Sequence, residues 1–216
     1  MSTIRTMVWT PVSIGYDNVT PWLVARGCRP RNMTLVFSPW EPLSLKTSIH
    51  ETLVAAGTAL DHLSLFIYDF YKIPSGFSLI PAYLKISTLC IRLVNRYSRI
   101  ESFSPSLINL PALCKILESI GPKHTKLQQL LLGFELDRPC LDTDWSETGA
   151  LLARMLVFHP HLAVTIRISP HRKRNDGHEW MEHFVSKMVD GLSRSLARTG
   201  RVTLIWAFHH SQLPDS

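Results

Sequence analysis

The chain has 216 residues, of which 45% are hydrophobic and 19% charged, and it carries a formal net charge of +6. This balance predicts one globular domain or one compact repeat array and argues against bulk disorder, while a mildly basic total does not by itself indicate a nucleic-acid binder. The sequence has no apolar run of membrane-spanning length and no basic start followed by a long apolar stretch. We therefore expect a cytoplasmic or nuclear protein that does not enter a membrane.

Residues 1–32 are predicted to form an irregular N-terminal cap. Pro11, Pro21 and Pro30 interrupt this stretch, and 17–26 could form a short helix with Pro21 in its first turn, where a missing N–H costs little. A partly disordered leader up to Val12 is the alternative.

Residues 33–209 are predicted to form a single α/β repeat-like domain, followed by a loose tail at 210–216. The clearest signal is a six-residue pattern with apolar residues at its first, fourth and sixth positions. This pattern is typical of the strand segment of a leucine-rich repeat. It occurs three times, at Leu60-x-x-Leu63-x-Leu65, Ile86-x-x-Leu89-x-Ile91 and Leu127-x-x-Leu130-x-Leu132. Strands are expected there, over Leu60–Tyr68, Leu84–Val94 and Leu127–Phe134, and also over Met33–Phe37, Leu162–Ile168 and Val202–Phe208.

Three well-marked helices are predicted between the later strands. Apolar residues at helical spacing place one at Pro111–Ile120, where Gly121-Pro122 is a stop signal. Asp144-x-x-Glu147 resembles an N-terminal cap for a second helix that ends near Phe158. The third helix, Glu179–Arg198, carries an apolar stripe and is expected to lie on the surface with that stripe inward; the stripe comprises Trp180, Phe184, Met188, Leu192 and Leu196.

This alternation of strands and helices predicts an α/β fold. We expect a leucine-rich-repeat-like array of alternating strands and helices, with a mainly parallel sheet and the helices on one side. A doubly wound sheet is the competing topology, and the sequence lacks the glycine-rich crevice loop usual in such sheets.

The chain resembles the leucine-rich-repeat-like regions of the F-box-type proteins of mushroom-forming fungi. The resemblance covers 19–207 and rests on Val19-Thr-Pro-Trp-Leu-Val-Ala-Arg-Gly-Cys-Arg-Pro before the first strand, on the Leu-x-x-Leu-x-Leu strands, and on the tryptophan-led helices that begin at Trp145 and Trp180. It implies the substrate-recruiting part of a ubiquitin ligase. No segment of the chain matches the F-box itself.

We expect no catalytic, cofactor-binding or metal-binding residues, and hence no enzyme. The four cysteines, Cys28, Cys90, Cys114 and Cys140, have neither zinc-site nor redox-motif spacing, and Cys90 and Cys114 fall on apolar patterns that predict burial. The pair His178 and His183 is spaced i, i+5, whereas a zinc-binding helix needs i, i+4.

The densest basic cluster is a candidate basic patch formed by Arg172, Lys173 and Arg174. It could contact phosphate or direct nuclear import, and a solvated turn is the alternative. We therefore expect a non-catalytic protein-interaction module with an unknown protein partner. The alternative is a basic nucleic-acid-associated protein, whose binding would weaken steeply with salt. An unrecognised enzyme is a third hypothesis.

Overall fold

A computed structural model describes residues 6–9, 26–27, 29–37, 53–54, 56–68, 80–82, 84–94, 110–136, 143–170, 177–196 and 200–206. They contain seven strands, three α-helices of ten residues or more and one 3₁₀ turn, Gly57–Ala59, which follows helical residues at 53–54 and 56. The strands are β1 (Thr6–Trp9), β2 (Asn32–Phe37), β3 (His62–Tyr68), β4 (Thr88–Val94), β5 (Gln129–Leu136), β6 (Ala163–Pro170) and β7 (Val202–Trp206). The helices are α1 (Leu110–Ser119), α2 (Ser146–Phe158) and α3 (Gly177–Leu196).

The seven strands form one sheet in which every neighbouring pair is parallel and the spatial order is the chain order, β1 to β7. A doubly wound sheet would reverse its strand order at a switch point, and these strands contain no such reversal. The predicted α/β array of alternating strands and helices is therefore confirmed over the described residues, and the competing topology is wrong.

The helices form one layer on one face of the sheet. α1 packs on α2 and α2 packs on α3. Their apolar residues share one core with the alternate strand residues that begin at Met33, Leu63, Leu89, Leu130 and Val164. In α3 the inward stripe is confirmed at Phe184, Met188, Leu192 and Leu196, all buried, whereas Glu182, Lys187 and Asp190 are exposed.

The repeated apolar pattern builds the centre of this core. All nine of its apolar positions, in the segments at 60–65, 86–91 and 127–132, are at most 3% exposed. The first position of each pattern lies just before the strand and the other two point to the helices, because side chains alternate along a strand. The strands consequently begin later than predicted, at His62 rather than Leu60 and at Thr88 rather than Leu84.

A shared carbonyl links successive repeats at the start of the strands. The N–H groups of Asp61 and His62 both donate to the carbonyl of Arg31, at 2.8 and 2.9 Å. Ser87 and Thr88 repeat this arrangement on the carbonyl of Asp61, and 128–129 repeat it on the carbonyl of Ser87. These recurring bonds hold neighbouring repeats in one register from β2 to β5.

The expected irregular cap at 1–32 requires a correction, because Thr6–Trp9 is a strand that pairs with β2. Threonine, valine and tryptophan favour extended backbone, and β2 offers this segment a ladder of backbone partners that a single sequence does not reveal. None of the helices in the described part of the chain is long and apolar enough to cross a membrane. The predicted tail at 210–216 lies outside the described residues.

Candidate functional site

The face of the sheet opposite the helices is where most of the polar and charged strand residues lie. We call this surface the open face and define it by the strand residues that alternate with the core positions. Most of these side chains are half-buried or exposed; the residues are Asn32, Thr34, Val36, His62, Ser64, Phe66, Cys90, Arg92, Gln129, Leu131, Gly133, Glu135, Ala163, Thr165, Arg167, Ser169, Thr203 and Ile205. Thr88 and Val94, at the two ends of β4, are buried exceptions on the same face.

Parallel pairing without a register shift arranges the open-face residues in straight rows across the strands. One row runs through Phe66, Arg92, Gly133, Arg167 and Ile205, each residue opposite the next in the strand register. Neighbouring strands lie about 4.8 Å apart, so Arg92 and Arg167 have Cα atoms roughly 10 Å apart with glycine between them. The row therefore places two guanidinium groups on either side of a position with no side chain.

These two arginines border a small cleft on the open face. It has a volume of about 170 Å³ and is lined by Arg92, Gly133, Glu135, Arg167 and Ser169. Gly133 is important in this lining because it has no side chain. A Cβ atom at this position would lie 3.1 Å from Cγ of Arg92. Any other residue would force the Arg92 side chain to move and would reduce the space between the two arginines.

The Arg92 side chain has neighbours from two strands. Its Cζ atom lies 5.0 Å from the centre of the Phe66 ring on β3, in cation–π range. Its Nη1 atom lies 3.7 Å from Oε1 of Glu135 on β5, which is an ion pair longer than a hydrogen bond. At partly exposed positions such contacts are each worth at most about 1 kcal/mol, so they orient the guanidinium more than they stabilise the fold.

Arg167 has different surroundings. It is exposed on β6, and no hydrogen bond or ion pair of this side chain lies among the described residues. With Arg92, Glu135 and Arg167 all ionised, the cleft carries one net positive charge. Guanidinium groups bind carboxylates through two parallel N–H donors, and the Ser169 hydroxyl adds a polar group that can donate or accept. The cleft is suited to holding an anionic group.

The sequence-predicted basic patch, Arg172, Lys173 and Arg174, lies outside the described residues, as do Cys28 and Cys140. Among the residues that the structure describes, no group of three or more histidine, cysteine, aspartate or glutamate side chains is placed to hold a metal ion.

The two described cysteines, Cys90 and Cys114, are free thiols in different settings. Cys114 is buried as predicted, lies 3.5 Å from the Thr148 hydroxyl, and has a raised pKa because burial disfavours its thiolate. Cys90 was expected to be buried but is half-buried on the open face, because it alternates with the core residues of β4.

Two buried histidines lie under the turns that enter β5 and β6. His124 is 2% exposed; its Nδ1 lies 3.1 Å from the Gly121 N–H and its Nε2 lies 3.2 Å from the Pro81 carbonyl, which links two repeats. His159 is 5% exposed, and its Nε2 has no hydrogen-bond partner among the described residues. Its pKa is lowered, first by burial and then by the nearby His124. Both histidines are structural parts of the repeat junctions.

The sequence contained a signal for the Arg92–Gly133–Arg167 cleft that the prediction missed. Arg92 and Gly133 directly follow the last apolar residues of their strand motifs, Ile91 and Leu132, and Arg167 follows Ile166 in the alternating apolar pattern of 162–168. Alternation places a residue at that position on the face away from the core. Aligning the strand motifs would therefore have brought the two arginines and the glycine into one row.

Comparisons with known proteins do not assign the chain to a family. No protein-family model matches it, and searches of the curated proteins and of the solved structures found no match.

Proposed function

We propose that this chain is a non-catalytic protein-interaction module that binds a partner protein through the open face. The observation that supports this most is the row of Phe66, Arg92, Gly133, Arg167 and Ile205. Aromatic residues and arginine are the types enriched at protein interfaces, and here they project from strands rather than from loops. A rigid platform of this kind loses little conformational entropy on binding.

The layered arrangement explains why the partner should bind on this face. The helices cover the other face of the sheet and bury its apolar residues in the core. The open face combines apolar, polar and charged side chains, and Ile205 is 44% exposed on it. A parallel sheet is usually covered on both faces, so a partner on the open face would complete the more usual arrangement.

The finer form of the proposal is that the chain recruits substrates as part of an F-box-like protein of the cytoplasm or nucleus. It is supported by the sequence resemblance alone. The alternative, a basic nucleic-acid-associated protein, is supported by the net charge of +6 and by the open-face arginines. The Glu135 carboxylate beside Arg92 disfavours it at the cleft, because this carboxylate repels a phosphate backbone.

Site-specific photo-crosslinking tests the proposal. A photoreactive amino acid would replace Gln129 or Thr203, both exposed on the open face, or Arg154 or Val157, both exposed on α2. Each variant would be irradiated in a lysate of the source organism, and its thermal melting would be compared with that of the unmodified chain. We expect the same protein to be crosslinked from both open-face positions and not from α2.

Three results would contradict this expectation. Adducts that form only from the α2 positions would place the interaction on the helix layer. Crosslinks to nucleic acid that weaken steeply between low and moderate salt would favour the alternative, because counterion release makes phosphate binding salt-dependent. Absence of any adduct from all four positions in correctly folded variants would also count against the proposed module.

A further inference from the structure

We infer that the cleft between Arg92 and Arg167 binds a carboxylate of the partner protein, from an aspartate or glutamate side chain or from a chain terminus. This inference rests on the proposed function and specifies its chemistry. The cleft would be the position on the open face that selects an acidic residue in the bound segment.

The first argument is the space over Gly133. The glycine lies between the two arginines in the strand register and leaves the cleft of about 170 Å³ open. The surrounding row has large side chains at Phe66, Arg92, Arg167 and Ile205. A ligand group can approach the sheet backbone here and meet guanidinium groups on two sides.

The second argument is that the two guanidinium groups have N–H donors available for a ligand. Arg92 is oriented by Phe66 and Glu135, and its contact with Glu135 at 3.7 Å is too long to occupy a hydrogen-bond donor. A guanidinium has five N–H donors in a fixed fork. Arg167, without a described partner, supplies a second fork across the glycine. Both side chains can therefore donate to an arriving anion without first breaking a hydrogen bond.

The third argument is the charge. Arg92, Glu135 and Arg167 sum to one positive charge, which a single carboxylate neutralises. A phosphate monoester, carrying nearly two negative charges, would leave the cleft negative and would meet Glu135 at close range. The Glu135 carboxylate is 28% exposed, so its repulsion is only partly screened. The site is consequently matched to a carboxylate rather than to a phosphate.

The fourth argument concerns what flanks the carboxylate. Phe66 and Ile205 lie beyond the two arginines on opposite sides of the row, each about 10 Å from Gly133 by the usual strand spacing, and on the Phe66 side the row continues to Val36. An extended segment advances about 3.3 Å per residue, so about three residues separate Gly133 from Phe66 or from Ile205. A bound segment that crosses the strands would place its acidic residue over Gly133 and apolar residues near Phe66 and Ile205.

The test uses pools of fluorescein-labelled nonapeptides with a defined central residue and randomised uncharged residues elsewhere. The centre is glutamate, aspartate, glutamine or phosphoserine, with the C-terminus amidated; a fifth pool has a neutral centre and a free C-terminus. Fluorescence anisotropy measures binding to the folded full chain. We expect one of the carboxylate pools to bind with a Kd about tenfold or more below that of the glutamine pool, the range for charge-assisted hydrogen bonds. The pool that binds identifies the source of the carboxylate.

Three variants and one matched control connect this preference to the cleft. Arg167→Gln and Arg92→Gln should remove most of the preference for carboxylate, and Gly133→Val should weaken binding by filling the cleft. Arg154→Gln makes the same charge change on the exposed surface of α2 and should have no effect. Arg167→Gln is the cleaner arginine variant, because Arg92 also contacts Phe66 and Glu135.

The inference is overturned if the glutamine pool binds as tightly as the carboxylate pools, if no pool binds, or if Arg167→Gln and Arg154→Gln behave alike. Tighter binding of the phosphoserine pool would overturn the charge argument. Crosslinks from Gln129 and Thr203 that persist in Arg167→Gln, together with no carboxylate preference, would remove the cleft but retain the interaction module. If the crosslinks and the carboxylate preference were both absent, the cleft and the interaction module would both be ruled out.

Discussion

Replacing Gly191 with alanine should destabilise the protein although it improves helix propensity. Gly191 lies inside α3, where alanine is better than glycine by about 1 kcal/mol. A Cβ atom there would lie 2.7 Å from Cβ of Trp145. Carbon atoms in contact are normally about 3.5–4.0 Å apart, so α3 and the start of α2 would have to separate by roughly 1 Å.

Trp145 has little room to move. It is 2% exposed, and its ring makes edge contacts with Phe134 at 5.2 Å and with Phe184 at 5.7 Å. The close atom is its Cβ, so a change of rotamer cannot relieve the contact. Overpacking of this kind costs about 1–3 kcal/mol, which leaves a net loss of up to about 2 kcal/mol after the propensity gain.

Gly149→Ala is the matched control for this prediction. Gly149 faces α3 from α2, but a Cβ atom there would come no closer than 3.4 Å to its neighbours. The control should therefore keep the propensity gain of about 1 kcal/mol without the overpacking cost. Urea unfolding followed by circular dichroism would measure both changes, with Gly191→Ala expected about 1–3 kcal/mol below Gly149→Ala. If Gly191→Ala were as stable as the control or more stable, the close approach of α2 and α3 at Trp145 would be refuted.

Three further predictions concern the core, a helix end and pH. Leu130→Ala should lower the free energy of unfolding by about 2–5 kcal/mol, because Leu130 is 0% exposed near the start of β5, in the central part of the sheet. A loss below about half a kcal/mol would place Leu130 outside the core. Arg201→Gln should cost about 1–3 kcal/mol, since its guanidinium donates to three carbonyls at the end of α2 at 2.7–2.9 Å, whereas Arg154→Gln should cost almost nothing in the same urea titration. Burial lowers the pKa of His159 in the folded chain, so as the pH falls the unfolded chain binds a proton at this histidine before the folded chain does. The stability that is present above the ordinary histidine pKa of about 6.5 should therefore be lost as the pH falls towards the pKa of His159 in the folded chain. His159→Gln should flatten this part of the profile of urea midpoints against pH, and an unchanged slope in this variant would contradict the assignment.

Local pattern was enough to predict most of the elements of the fold. The three apolar motifs placed β3, β4 and β5, and the spacing of three and four placed α1 and α3. These patterns are local because a strand that buries one face repeats every two residues, and a helix that buries one stripe repeats every 3.6. Alternation of the two types then restricts the chain to a parallel sheet with crossover helices.

The strand at Thr6–Trp9 shows where local pattern is insufficient. Four residues are too few for a periodic signal, and the three prolines that follow at 11, 21 and 30 favoured an irregular segment. The strand exists because β2 provides backbone donors and acceptors beside it. Its stability comes from a partner in the tertiary structure rather than from its own sequence.

The candidate cleft depends on both the sequence pattern and the tertiary structure. The alternation of side chains along a strand is enough to predict that Arg92, Gly133 and Arg167 face away from the buried apolar residues of their strands. That the three are neighbours depends on the tertiary structure, because β4, β5 and β6 must be adjacent and unshifted in register. Arg92 and Gly133 are 41 positions apart in the sequence. The lengths of the intervening crossovers do not encode that register. It is set by the stacking of buried leucines and by the backbone bonds that join one repeat to the next.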